Sequence, residues 1–182
     1  MIKSAVRLQR TRGVAGTAFS DVLADSGAPR GSVYHHFPQG RGQLAEAATE
    51  HGAEWIAEQL EEMLAGGDPL AALEAFVDLW SGVVLEEAYQ AGCAVAAGAL
   101  DPDHDSGARR AAAAGFRRWE TLLADAFAPH VGADQAQALA VTCIAAIEGA
   151  LILVRAEASL RPLELVAEQL SRVLFQSIAA QK

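Results

Sequence analysis

The sequence predicts an all-α protein of about nine helices, in which three short N-terminal helices are joined through the fourth to a larger helical body. Apolar residues recur at three- and four-residue spacing from one end of the chain to the other. Runs of β-branched and aromatic residues with period two, the mark of a half-buried strand, are absent. Gly and Pro gather in short breakers between the apolar segments. With 182 residues, 52% of them apolar and 20% charged, the chain can bury a substantial core, and its composition excludes a disordered protein.

In the first segment, "IKSAVRLQRTRG", a helix places Ile2, Ala5, Val6 and Gln9 on one face and stops at Gly13. In "TAFSDVLADSG" Thr17 is expected to cap a second short helix with Phe19, Val22 and Leu23 facing inward, and Gly27 ends it. Pro29 suits the first turn of a third helix, "PRGSVYHHF", because a missing N–H costs nothing there, and Pro38 closes it. From Arg41 the fourth helix, "RGQLAEAATEHGAEWIAEQLEEML", carries Leu44, Ala48, His51, Trp55, Leu60 and Leu64 on a broad face. Asp68 and Pro69 cap and start the fifth helix, and "AGCAVAAGAL" forms a short sixth. The seventh, "GARRAAAAGFRRWETLLADAFA", exposes Arg109, Arg110, Arg117 and Arg118 on a solvated face. The eighth, "ADQAQALAVTCIAAIEGALILVRAEA", is the most apolar, and "PLELVAEQLSRVLFQSIAA" is the ninth. No internal repeat or low-complexity linker separates these segments. The expected domains are residues 1–40 and 41–182, connected rigidly because the fourth helix starts at the boundary and runs into the body.

The net charge of −9 is unevenly distributed. Residues 1–41 hold six basic and two acidic side chains, a balance of +4, whereas residues 42–182 carry −13. A basic head on an acidic body is the asymmetry of a protein whose one end meets a polyanion. Glu148 interrupts the longest apolar run, so no bilayer-spanning segment is expected, and the chain opens without a signal-peptide pattern. The sequence therefore predicts a cytoplasmic protein with no membrane partner. Cys93 and Cys143, fifty residues apart and outside any CxxC, read as buried free thiols.

Residues 18–26, the "SGA" turn and residues 29–36 fit a helix–turn–helix, whose second helix enters the major groove of double-stranded DNA. Arg30, Gly31 and Ser32 lie at its leading end. Arg offers a fork to guanine, Ser bonds bases or phosphate, and Gly removes bulk where the backbone approaches. Tyr34 and His35 follow one turn later, placed to donate to phosphate. The competing use of His35 and His36 as metal ligands fails on geometry, since adjacent helical residues point about 100° apart. No HExxH or ExxH is present, and His104 with its flanking aspartates reads as a solvated loop, so no metal or other cofactor is expected. No catalytic motif appears either, and the chain is not expected to be an enzyme.

Trp55, Phe76, Trp80, Phe116 and Trp119 fit core packing or the wall of a small-molecule cavity, with Cys93 and Glu148 as further candidate lining. Arg155, seven positions on, lies two turns away on nearly the same face, and Glu148 also fits two other places: a pair across a dimer interface, or the edge of the apolar stripe. The eighth helix is apolar nearly all round and must be covered on several sides. A homodimer that packs the last two helices of each copy together would cover it, with Ile144, Leu151 and Arg155 on the eighth helix and Leu170 and Leu174 on the ninth.

The stretch "FSDVLADSGAPRGSVYHHFPQGRGQL" resembles the amino-terminal domain of the tetracycline-repressor (TetR) family. Its wording "SGAPRGSVYHHFP", together with "GCAVAAGALD", is most similar to the LmrA/YxaF-like branch. The resemblance implies a homodimeric repressor that binds a palindromic operator and releases it when a small molecule occupies the body. It places Arg30, Gly31, Ser32, Tyr34 and His35 on DNA, adds Thr17 and Arg41 as phosphate contacts, and gives Phe37 a packing role. Arg41 stands where the family usually has Lys, which preserves the charge. The chain also begins almost inside its first helix: either the native start is short or residues precede it, and phosphate contacts from a preceding basic arm are left open. The alternative is a helical enzyme or carrier that binds a small molecule and has no DNA function.

Overall fold

The computed structural model describes residues 1–181 and contains, among them, nine helices and no strand. They are α1 (Ile2–Arg12), α2 (Phe19–Ser26), α3 (Arg30–His36), α4 (Arg41–Leu64), α5 (Pro69–Glu86), α6 (Ala94–Ala99), α7 (Gly107–Val131), α8 (Ala133–Glu157) and α9 (Arg161–Ala179). The all-α class and the helix order agree with the sequence pattern. Backbone contacts divide the chain into two compact units. The first comprises Met1–Trp55 and Gly92–Phe116, and the second Ile56–Ala91 and the chain from Arg117 onward.

In the first unit Ala5, Leu8, Val22, Val33, Leu44 and Ala94 meet in one apolar cluster, so α1, α2, α3, α4 and α6 share a core. Polar groups inside it are paired, as burial demands. Gln9 donates to the Ala45 carbonyl (3.2 Å), and the Thr49 hydroxyl donates to the same oxygen (2.8 Å). Gly98 lets α6 lie against α4: a Cβ there would stand 2.7 Å from Thr49 Cγ2 and 3.0 Å from the Ala108 carbonyl. Gly115 of α7 approaches Ala53 of α4 with similar closeness: a Cβ there would stand 2.6 Å from Ala53 Cβ.

Several expectations are corrected. The cap of α2 is Ala18, and Thr17 turns its hydroxyl inward to the Gly13 carbonyl (2.8 Å). Pro29 is the N-cap of α3, so the helix starts one residue later, at Arg30. His51 is exposed, because the buried face of α4 turns through Ala48, Gly52 and Ala53. α7 continues through Pro129 to Val131, since a proline in the last turn removes a single bond and Gly132 N–H closes the helix onto the Ala128 carbonyl (3.0 Å).

In the second unit Asp68 caps α5 by accepting from the N–H groups of Leu70 (2.9 Å) and Ala71 (3.3 Å), with Pro69 following. α9 packs along α8 and against α5. α8 is long and apolar enough to cross a membrane by length and composition, contrary to the reading that Glu148 interrupts it. One glutamate in so apolar a window does not lower its mean hydropathy enough. Leu139, Ile147, Leu151 and Val154 are buried within the protein.

Candidate functional site

The turn between α2 and α3 is built by Gly27, whose φ of 65° is the left-handed value that ends a helix without a Cβ penalty. Ser26 Oγ accepts the Ala28 N–H (3.3 Å) and Pro29 starts the next helix from extended backbone. α3 has only seven residues, and Val33 with Phe37 just beyond its end fastens it into the core. Its other side faces outward. Arg30, Gly31, Tyr34 and His35 are all exposed, Tyr34 by 70%, steadied by an edge-on contact with Phe19 at 6.1 Å. A Cβ at Gly31 would meet nothing within 4 Å, so nothing inside the protein requires glycine there. The Ser32 hydroxyl donates to the Pro29 carbonyl (2.8 Å), leaving its oxygen to accept.

The basic side chains of this unit fall into distinct environments. Arg7 pairs with Asp25 and Arg12 with Asp21 (3.1 Å), which fastens α1 to α2. Arg10 lies over the Trp55 ring at 5.0 Å, and its carbonyl accepts the Gly92 N–H (2.9 Å). Arg41 is exposed and reaches the Ala15 carbonyl (3.5 Å). Thr17 is 3% exposed. The rings of His35 and His36 stand edge to face at 5.2 Å, and no cluster of three metal-ligating side chains occurs among the described residues.

The second unit contains an apolar pocket formed by α4, α5, α7 and α8, with a cavity volume of about 30 Å³. Phe76, Trp80, Trp119 and Glu148, all anticipated, line it. Phe76 and Trp80 meet edge to face at 6.3 Å. Trp55, Cys93 and Phe116 belong to the first unit and do not: Trp55 is under Arg10, and Cys93 is the buried N-cap of α6. Leu64, Phe127 and Cys143 are lining residues that the sequence reading passed over. Spacing could have found them, since Trp119, Leu123 and Phe127 follow one another at four-residue steps, as do Cys143 and Ile147. Burial pushes the Cys143 thiol from 9.0 up to about 11, so it is a poor nucleophile.

The first unit's sequence matches the description "Bacterial regulatory proteins, tetR family" over residues 1–48. Residues 69–169 match "Transcriptional regulator LmrA/YxaF-like, C-terminal domain". The chain belongs to the TetR family. An uncharacterized HTH-type transcriptional regulator of Mycobacterium tuberculosis is 39% identical, over 98% of this chain and 94% of the relative. YxaF of Bacillus subtilis, another uncharacterized HTH-type regulator, is 30% identical over 93% of this chain and 91% of its own. A TetR regulator from Chloroflexus aurantiacus superposes with a TM-score of 0.74 at 27% identity, covering 96% of this chain and 92% of that one. One from Legionella pneumophila shares the fold, with a TM-score of 0.85 at 19% identity over 94% of each chain.

Membership makes this TetR-family protein a helix–turn–helix transcriptional regulator. Of the side chains expected to join two copies, Leu151, Leu170 and Leu174 face the protein's own core, and Ile144 lines the pocket. A second copy cannot cover what the first already buries. The apolar side chains exposed on α8 and α9 are others, among them Val141, Ile152 (65%), Leu153, Leu165 and Phe175 (62%), with Arg155 also exposed.

Proposed function

We propose that this TetR-family regulator is a repressor that binds a palindromic operator as a homodimer and leaves it when a small molecule fills the α4–α5–α7–α8 pocket. In this reading residues 1–40 read DNA and residues 41–182 bind the effector and pair the copies. The observation that carries the DNA half is the two-sided character of α3, anchored by Val33 and Phe37 while Arg30, Gly31, Tyr34 and His35 stand outward. Arg30 supplies the bidentate donor for guanine, Gly31 admits the groove floor, and Tyr34 and His35 donate to phosphate. Arg41, at the first turn of α4, adds a cation toward the backbone. Thr17, in the turn before α2, would serve a phosphate only when its hydroxyl leaves the Gly13 carbonyl and its buried side chain opens to solvent.

Two-fold operators require two reading helices about 34 Å apart, which one copy cannot supply. The exposed α8 and α9 side chains, Ile152 and Phe175 foremost, form the dimer face, and Arg155 lies at its rim. A cavity of about 30 Å³ holds no more than a water or two, whereas effector-sized ligands occupy about 300 Å³ or more. Binding must therefore push the walls apart, and Leu60 and Leu64 in those walls belong to α4, the helix that follows α3. The ligand then favours a conformation different from the one that grips DNA, the differential affinity that release demands. Selection of bound duplexes from a random pool tests the reading. A palindrome should emerge, and recovery of no preferred sequence would sink the DNA half.

A further inference from the structure

Tyr34 rises from the middle of α3 and is 70% exposed. A side chain so open exchanges among staggered rotamers, and fixing it against a single phosphate oxygen costs affinity. The surroundings add a competing resting place. A cleft of about 420 Å³ lies between α2 and α3, lined by Leu23, Ala24, Ala28, Val33 and Tyr34 itself. A phenol ring folded into it would gain apolar contact and withdraw its hydroxyl from DNA.

One ring opposes that movement. Phe19, the first residue of α2, meets Tyr34 edge-on, with centroids 6.1 Å apart and planes at 72°. The arrangement is one that ring quadrupoles favour. Phe19 is itself half-buried against the core of the first unit, one turn before Leu23 on the same side of α2. Val22 is fully buried, and the Arg7–Asp25 and Arg12–Asp21 pairs tie α2 to α1, so the platform is fixed. Building on the DNA-reading proposal above, we infer that Phe19 is a positioning residue for operator binding: its ring holds the Tyr34 hydroxyl out of the cleft and toward the phosphate backbone. A leucine in its place would keep apolar contact with the core but offer Tyr34 no ring.

A double-mutant cycle tests the inference on the full-length protein: parent, Phe19→Leu, Tyr34→Phe and the double variant, compared by gel shift on the selected operator and by thermal melting. Tyr34→Phe keeps the ring contact and removes only the hydroxyl, and should weaken binding about tenfold or more. Phe19→Leu should weaken it about fivefold or more in the parent and less than about twofold in Y34F, because an absent hydroxyl cannot be misplaced. A purely structural role in packing α2 on α3 predicts the same loss in both backgrounds, and that result overturns the inference. So does F19L binding as tightly as the parent, or Y34F doing so. Phe19→Met repeats the cycle if F19L melts far below the parent. A second readout needs no DNA. With 3-fluorotyrosine at the two tyrosines, Tyr34 and Tyr89, F19L should move the Tyr34 fluorine resonance toward that of the free amino acid and leave Tyr89 in place. An unmoved Tyr34 resonance overturns the inference. Failure of the regulator reading shows separately: a duplex selection that yields no operator defeats that reading and the role built on it, while the fluorine spectra still report whether Phe19 holds Tyr34.

Discussion

Single side chains divide between those that hold α3 and those that α3 holds out. Arg30→Ala should leave the melting temperature unchanged while relaxing base choice at one operator position by about 1–3 kcal/mol, measured by gel shift on duplexes mutated one base pair at a time. Gly31→Val offers a sharper contrast, because open space surrounds the missing Cβ. It should cost the fold no more than about 1 kcal/mol and still weaken operator binding by an order of magnitude or more. A variant that binds as well as the parent would mean that no groove floor approaches this residue. Cys143 gives a prediction in pH. Below pH 9 the thiol is neutral in the folded and unfolded chains alike, and its burial is without electrostatic cost. As pH rises from 9.0 to about 11, the unfolded chain ionises and the folded one resists, so stability falls by up to about 3 kcal/mol through that window. Urea unfolding of the parent and C143A at pH 8 and at pH 10.5 should show the difference moving in favour of the variant. A difference independent of pH would refute the assignment.

At the scale of the element, close approach decides more than propensity. α6 is six residues long and could not hold itself as an isolated helix. It persists because Gly98 lets it settle against Thr49, and Gly98→Ala should destabilise the protein by about 1–3 kcal/mol, read as a lower urea midpoint. Helix order, the breakers at Gly13 and Gly27, and the cap at Asp68 were legible in the sequence because each is a local event set by a few neighbouring residues. The partner of each helix face was not. Thr17 has the chemistry of a cap, yet its hydroxyl turns back to Gly13, and the periodicity of α4 gave no reason to leave His51 in solvent. Leu151, Leu170 and Leu174 read as apolar positions on apolar helices, and periodicity alone cannot say whether α5 or a second copy covers such a position. The aromatic group suffered the same ambiguity. Phe76, Trp80 and Trp119 converge on one pocket, whereas Trp55 carries Arg10 on its ring, a contact between residues forty-five positions apart.

For the molecule as a whole, charge and assembly are coupled. The body is acidic, and two of the head's arginines are matched by the head's own aspartates, so in the proposed homodimer affinity for DNA would depend on the remaining cations acting in pairs across the two copies. Ile152→Glu combined with Phe175→Glu should yield a folded monomer in analytical ultracentrifugation. In gel shifts its operator affinity should fall by at least about a hundredfold, with roughly half the parent's slope against log salt. A double variant that remains dimeric would move the dimer face elsewhere.

The interleaving of the two units has a practical corollary for exchanging modules between regulators. Ala94, supplied by a segment that returns from far along the chain, sits inside the core of the reading head. A transplant cut after α4 would leave that core open beside Val6 and Ala48. A chimera that keeps its specificity and its stability therefore has to carry α6 along with the head, as one graft in two pieces of sequence.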